Sequence, residues 1–232
     1  MLKQWDQLPA FLKIPEVRPY YDVLAGKRFS LLCKRIFDIV IALILLIILL
    51  IPMAVIAVWI KADSKGPVFY RQERVTQYGK HFRIHKFRTM VANADQIGTA
   101  VTVNNDSRIT RAGSKLRSLR LDELPQLIDV LEGNMSFVGT RPEAVKYVEH
   151  YVPEYYATLL LPAGITSTAS ILYKDEDRLL AGAEDTDRAY IEKVLPGKMK
   201  YNLDSIMHYN FFTDIATMFH TVTAVADRKE DE

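Results

Sequence analysis

Cysteine is almost missing from this chain: Cys33 is the only one in 232 residues. A lone cysteine excludes a disulfide framework and a cysteine metal site, and it fits a reducing compartment. The five histidines show no metal-ligand spacing. His81 and His85, at or beside an expected strand, read as non-catalytic. No internal repeat is present, and no cleavable signal peptide is evident. The long apolar run starts near residue 39, is too long for a signal core and has no small-residue cleavage site after it, so it is expected to stay. That run lacks charge altogether from residue 39 to residue 60.

As a helix, 22 residues reach roughly 33 Å, enough to cross a bilayer core. Lys27, Arg28, Lys34 and Arg35 precede the run, and Lys61, Lys65, Arg71 and Arg74 follow it. A single crossing concentrates basic residues on the cytoplasmic side, whereas a segment that dips in and returns keeps them at both ends. Pro52 offers a turning point, because it has no N–H for the Ile48 carbonyl and its ring displaces that carbonyl. A straight single-pass anchor, bent mildly at Pro52, is the other reading.

The formal net charge of +2 hides an asymmetry. Residues 61–120 hold 13 Lys/Arg against 4 Asp/Glu, and residues 121–232 hold 10 against 20. A basic section directly behind a membrane segment can rest on anionic headgroups or grip an anionic substrate. Nucleic acid is disfavoured by the apolar segment and the acidic half.

The pattern predicts an α+β chain, mainly helical. Its expected divisions are an N-terminal interfacial segment (1–30), a membrane helix broken at Pro52 and re-entrant if it returns to its own side (31–65), a small domain with a short β-hairpin (66–226), which the resemblance described below makes the cytoplasmic catalytic domain, and a charged tail (227–232). Pro9, Pro15 and Pro19 bar a long helix in the first segment, where Trp5, Phe11, Tyr20 and Tyr21 either pack or face the membrane interface. Short strands at 68–70 and 82–87 form a β-hairpin around 77–80, and 90–94 suggests a short helix. Residues 104–113 and 135–142 read as loops, and Pro162 with Gly164 as a turn. Leu124, Leu127, Ile128 and Leu131 follow helical spacing up to Gly133, with the start near Leu121 or Asp122 because Pro125 suits only a first turn. Further helices are expected at 143–151, 186–195 and 204–225.

Asp122 and Glu123 therefore stand at a helix start. There the macrodipole favours acidic residues by roughly 0.3–1 kcal/mol each, a purely structural reading. Their neighbours supply another. Arg108, Arg111, Lys115, Arg117 and Arg120 precede them and Arg141 follows, so two carboxylates among many cations could hold a metal-bound diphosphate. A carboxylate can also attack phosphorus and form an acyl phosphate once cations relieve the charge repulsion.

Six motifs in order carry a resemblance. They are Lys34-Arg35-x-x-Asp38; Gly66-Pro67-Val68-Phe69 with Gln72 and Arg74; Lys86-Phe87-Arg88-Thr89-Met90; Asp106-x-Arg108-x-Thr110; Leu121-Asp122-Glu123-Leu124-Pro125-Gln126; and Met135-Ser136-Phe137-Val138-Gly139-x-Arg141-Pro142. Together they resemble the bacterial sugar transferases, the monotopic phosphoglycosyl transferases, over residues 31–166 and weakly on to Asp214. The resemblance implies a re-entrant helix with the catalytic part on the cytoplasmic face of the bacterial inner membrane, in contact with phospholipid. It implies transfer of a sugar-1-phosphate from a UDP-sugar to undecaprenyl phosphate with Mg²⁺, releasing UMP, as the first step of surface glycan assembly. It makes Asp122 the nucleophile that carries the phospho-sugar, Glu123 a Mg²⁺ ligand, and Lys86, Arg88, Arg117 and Arg141 the groups that bind phosphate or nucleotide. Arg88 has a structural rival role, pairing to hold the hairpin.

Departures also carry expectations. Thr140 stands where the family has proline, which would loosen the loop carrying Arg141. Ser167 replaces the final glycine of Pro-Gly-Ile-Thr-Gly, and 167–172 lacks the usual Gln-Val pattern, so donor choice is where this chain would differ. The tyrosine-rich stretch 147–156 suits either a protein interface or lipid headgroups.

Overall fold

The computed structural model describes residues 2–94, 106–173, 183 and 185–227. It is mostly helical with two small sheets. The N-terminal prolines do what their fixed φ requires: short 3₁₀ turns lead into α1 (Arg18–Ala25), which has Pro19 in its first turn. Leu8, Leu12, Val17, Tyr20, Tyr21 and Leu24 are buried in a core shared with Leu160, Leu203 and Ile206. Trp5 meets Tyr21 edge-on at 5.0 Å, and Phe11 meets Tyr156 at 5.5 Å. These aromatics pack into the domain.

The apolar run lies within α2 (Arg28–Asp63), a single helix of 36 residues with Pro52 inside it. The expected helical break at Pro52 is therefore corrected. Losing one N–H and displacing one carbonyl is confined to a single turn, and an apolar helix can continue through it. Among the described residues α2 is the one helix long and apolar enough to cross a membrane. A stripe of Lys34, Asp38, Ala42, Ile56 and Ile60 is buried, with Leu45, Leu49 and Met53 half-buried between. This helical spacing lays one face of α2 along the domain for most of its length. Ile47, Ile48, Leu50, Ile51, Val55 and Val58 face outward and are exposed.

The hairpin forms as expected but is longer. β1 (Phe69–Val75) pairs antiparallel with β2 (His81–Phe87) around a tight turn at Gln77–Gly79. The expected helix at 90–94 is corrected, since Met90 makes a β-bridge to Ile109 and residues 92–93 are a turn. The loop expected at 104–113 ends early. Thr110 accepts the Gly113 N–H at 3.0 Å and caps α3 (Arg111–Ser118); residues 104 and 105 lie outside the described residues. A 3₁₀ turn, Leu121–Glu123, then precedes α4 (Gln126–Glu132), which stops at Gly133 in the left-handed conformation.

Residues 135–142 and 162–164 were expected as loop and turn, and both are corrected. β3 (Met135–Val138) pairs in parallel with β4 (Ala163–Thr166). A Cβ on Gly164 would fall 2.2 Å from the Gly139 backbone, so the two chains approach this closely only because both residues lack side chains. The expected helix at 143–151 shrinks to α5 (Val145–Val148). After α6 (Thr168–Leu172) come α7 (Thr186–Ala189), a π-helical turn at Tyr190–Val194 and α8 (Leu195–Met207). The helix expected at 204–225 is interrupted before α9 (Phe211–Asp227), where Asn210 accepts the Phe212 N–H at 2.9 Å. Beyond Asp227, the tail residues lie outside the described ones.

Both ends of α2 are tied to this domain. Near its start, Lys34 Nζ lies 2.8 Å from Asp214. Arg35 donates to the Val130 and Leu131 carbonyls at 2.7 and 3.2 Å, where a cation suits the end of α4. Asp38 accepts from the Ser136 hydroxyl at 2.7 Å and the Phe137 N–H at 3.3 Å. Near the other end, Asp63 accepts the Ala112 N–H at 3.1 Å. Arg88 donates to the carbonyls of Ser64 and Lys65, just past the helix.

Candidate active site

Asp122 and Glu123 occupy the 3₁₀ turn before α4, and both are buried. Arg120, in the left-handed conformation at φ 54°, turns the chain out of α3 into this position. The two carboxylates have opposite surroundings. Glu123 Oε1 accepts from Lys86 Nζ at 3.0 Å and from Arg141 Nη2 at 2.6 Å, with Arg120 Nη1 at 3.9 Å. Burial works to raise its pKa, but Arg141, Lys86 and Arg120 together hold it well below the usual carboxylate range. Asp122 Oδ1 is buried and has no hydrogen-bond partner among the described residues. Burial and the Glu123 charge push the Asp122 carboxyl up, while Lys86, Arg120 and Arg117 pull the other way.

The cations come from separate elements: Lys86 from β2, Arg117 from α3, Arg120 from the connection, and Arg141 from the loop after β3. Burial lowers the pKa of Lys86, with Glu123 opposing and Arg141 adding to the fall. Arg74 stands behind them on β1, its pKa lowered by burial and raised by Glu143. Glu143 in turn accepts from the Tyr190 hydroxyl at 2.7 Å and lies 3.5 Å from Lys198 Nζ. More positive than negative charge is gathered here, around two buried carboxylates and with Arg117, Arg120 and Arg141 half-buried. A second anion would be stabilised in such a place.

Of the residues expected at the site, Lys86, Arg141, Asp122 and Glu123 come together directly, and Arg117 lies near enough to act on Asp122. Arg88 points elsewhere, to the end of α2, and its work there is to hold that helix to the hairpin. Arg120, read from sequence only as one of several upstream cations, reaches Glu123, and Arg74 joins the site although the sequence reading gave it no role there. Arg74's contribution depends on strand register, which residue spacing does not reveal. At Thr140 the loop is tied by its backbone: the Thr140 carbonyl accepts the Gly164 N–H at 2.8 Å, and Gly139 N–H donates to the Thr166 carbonyl at 3.0 Å. His85 gives both its N–H and its Nδ1 to Asp129 at 2.8 Å, a packing role. Donor atoms of His85, Asp129 and Glu132 lie within 4.8 Å of one another, but both Asp129 oxygens are taken by that histidine.

The residues fit a hard divalent cation. A buried carboxylate oxygen without a protein partner, beside a neighbour held ionised, is the kind of oxygen donor Mg²⁺ takes when its other ligands are phosphate and water.

Comparison with known proteins agrees with the motif order. A family model described as bacterial sugar transferase matches residues 29–228. A UDP-glucose:undecaprenyl-phosphate glucose-1-phosphate transferase of Escherichia coli (strain K12) is 37% identical over 211 residues, covering 89% of this chain and 42% of that protein. A UDP-N-acetylgalactosamine-undecaprenyl-phosphate N-acetylgalactosaminephosphotransferase of Aeromonas hydrophila is 33% identical over 195 residues, covering 83% of this chain and 43% of that protein. An exopolysaccharide production protein PSS of Rhizobium leguminosarum bv. phaseoli is 37% identical over 210 residues, with 86% of this chain and 98% of that protein covered. The chain thus spans about two fifths of the first two relatives and nearly all of the third.

Proposed function

The chain belongs to the bacterial sugar transferase family, and from that premise we propose that it moves a sugar-1-phosphate from a UDP-sugar to undecaprenyl phosphate and releases UMP. The observation that carries this reading is the pairing of an unpartnered buried carboxylate oxygen on Asp122 with a cation cluster around Glu123. In the first step an Asp122 oxygen attacks the sugar-bearing phosphorus. The bond to the bridging oxygen breaks, and UMP leaves with the electron pair. In the second, a phosphate oxygen of the lipid attacks the same phosphorus, and the aspartyl oxygen leaves as carboxylate. Atoms and charges balance without an added acid or base.

The chain's own residues divide the work. Arg141, Lys86 and Arg120 keep Glu123 ionised, and their charge excess, with Arg117, faces the diphosphate and UMP. Burial leaves Asp122 poorly hydrated, which suits an oxygen that must approach phosphorus rather than water. Mg²⁺, held by Glu123 and Asp122, would supply neutralisation of phosphoryl charge.

The membrane placement belongs to the same proposal. A helix crossing a bilayer would separate its ends by the full membrane, yet Lys34 to Asp38 and Asp63 to Lys65 both bind one polar domain. This favours α2 entering one leaflet with both ends on the cytoplasmic side, so that the lipid phosphate meets Asp122 at the interface. The test is product identity: purified protein, a panel of UDP-sugars, undecaprenyl phosphate and Mg²⁺. UMP as the nucleotide product supports the proposal. UDP would assign transfer of the sugar alone, and no nucleotide release would leave a non-catalytic membrane adaptor that binds anionic lipid.

A further inference from the structure

α8 and α9 follow one another and are built inside-out with respect to each other. α8 buries Leu195, Met199, Leu203 and Ile206 and turns Lys200, Asp204 and Ser205 outward, as a helix against water does. α9 shows the reverse. Its outward residues include Phe212, Ala216, Phe219 and Val222, and the three large ones are 74%, 70% and 69% exposed. Its only formal charge before Asp227 is Asp214, which turns inward to Lys34 of α2. Among the described side chains of α9, His220 is the one ionisable residue on the outward side.

The threonines of α9 make few demands on their surroundings. All four on α9 return their hydroxyls to carbonyls three or four residues back: Thr213 to Asn210 at 2.6 Å, Thr217 to Thr213 at 2.9 Å, Thr221 to Thr217 at 2.8 Å and Thr223 to His220 at 2.9 Å. Such closure leaves few hydroxyls needing outside partners, which suits an apolar medium, although Thr221 also meets Thr166 at 2.7 Å and outward Ser205 of α8 closes onto Tyr201 in the same way. The exposed face also continues an existing apolar surface, since Phe211 meets Phe37 of α2 edge-on at 5.6 Å and Met218 packs into the core beneath α2.

We propose that α9 is a second membrane-inserted element, lying beside α2 with its Phe212–Phe219–Val222 face among lipid acyl chains. The proposal rests on the reading of α2 as membrane-embedded and adds an element about 25 Å long to the surface that holds the site at the bilayer. Lys34 and Asp214 then neutralise each other at the junction of the two helices, which is how charges persist at that depth.

Spin labels on the full chain in phosphatidylethanolamine–phosphatidylglycerol nanodiscs test it. A Cys33→Ser background carries one further change at a time: Phe212→Cys, Phe219→Cys or Val222→Cys on α9, Ile51→Cys on the outer face of α2, and Lys200→Cys on α8. The α9 sites should match Ile51→Cys in their ratio of oxygen to nickel-chelate collisions and lie well above Lys200→Cys. If they match Lys200→Cys while Ile51→Cys stays lipid-exposed, the α9 proposal falls and the α2 reading stands. If Ile51→Cys itself collides freely with nickel, the reading beneath the proposal falls. Labels shielded from both agents and broadened by each other would overturn it in favour of a second copy of the chain on that face. Unaltered protein offers a parallel check: a photoreactive acyl-chain lipid should attach within 211–223, and attachment confined to α2 would count against the proposal.

Discussion

Two groups of buried charge meet at opposite ends of α4, and their difference separates holding from reacting. Behind its C-terminus, Lys34 has Asp214, Arg35 has two carbonyls, and Asp38 has a hydroxyl and an N–H. Every charge is matched, so the group is inert and its product is position. Before its N-terminus, three cations converge on one carboxylate while an oxygen of its neighbour has no partner among the described residues. Buried polar groups left incomplete cost stability, and such incompleteness concentrates where a ligand is to complete it.

The contrast can be broken most severely at Asp122. Asp122→Asn should lower UMP release by about 10³-fold or more, with a melting temperature equal to or above that of the parent, because a buried charge is replaced by a neutral amide. A large loss of stability together with activity would place Asp122 in the inert group. Lys34→Met should do the opposite. It strands Asp214 and should cost about 3–5 kcal/mol of stability, read by thermal unfolding in detergent, with the nucleotide product unchanged in whatever protein remains folded. Arg141→Ala removes one charge-assisted hydrogen bond, about 1.5–3 kcal/mol, and should lower kcat/KM for the UDP-sugar by roughly 10- to 100-fold with little change in melting temperature. The smallest effect is in pH. Asp122 must be ionised to attack, and its carboxyl is raised, so kcat/KM should fall on the acid side above the ordinary aspartate range. Lys86 pulls that pKa down, so Lys86→Met should shift the acid limb to higher pH. Glu123 has the opposite sign. Its depressed pKa contributes stability above the ordinary glutamate range that is lost only as pH falls through the depressed value.

Much of this was legible in residue order because local chemistry decided it. The β1–β2 hairpin, the stop at Gly133 and the concentration of cations near Asp122 follow from short-range pattern. What stayed hidden depends on distant partners. β3 and β4 have four residues each, and their parallel pairing is made across a long connection, so 135–142 and 162–164 read as loop and turn. Arg88 shares a motif with Lys86 and stands two residues on, where strand alternation would put both on one face, but β2 ends at Phe87, the chain turns there, and only Lys86 reaches Glu123. Asp38 looked like part of a pattern without a task until Ser136, 98 residues away, supplied one. Pro52 was read for what it removes, while the stripe of α2 packed along the domain carries the helix through it.

The central claim is that the Asp122 carboxylate bonds to phosphorus. The direct measurement is mass spectrometry of protein mixed with UDP-sugar and Mg²⁺ and no lipid acceptor, quenched and digested. The account predicts a sugar-phosphate mass on the peptide containing Asp122, its loss when undecaprenyl phosphate is added, and none in Asp122→Asn. An unmodified peptide from protein that then turns over fully on addition of the lipid would contradict it, and would assign a direct transfer between the two substrates.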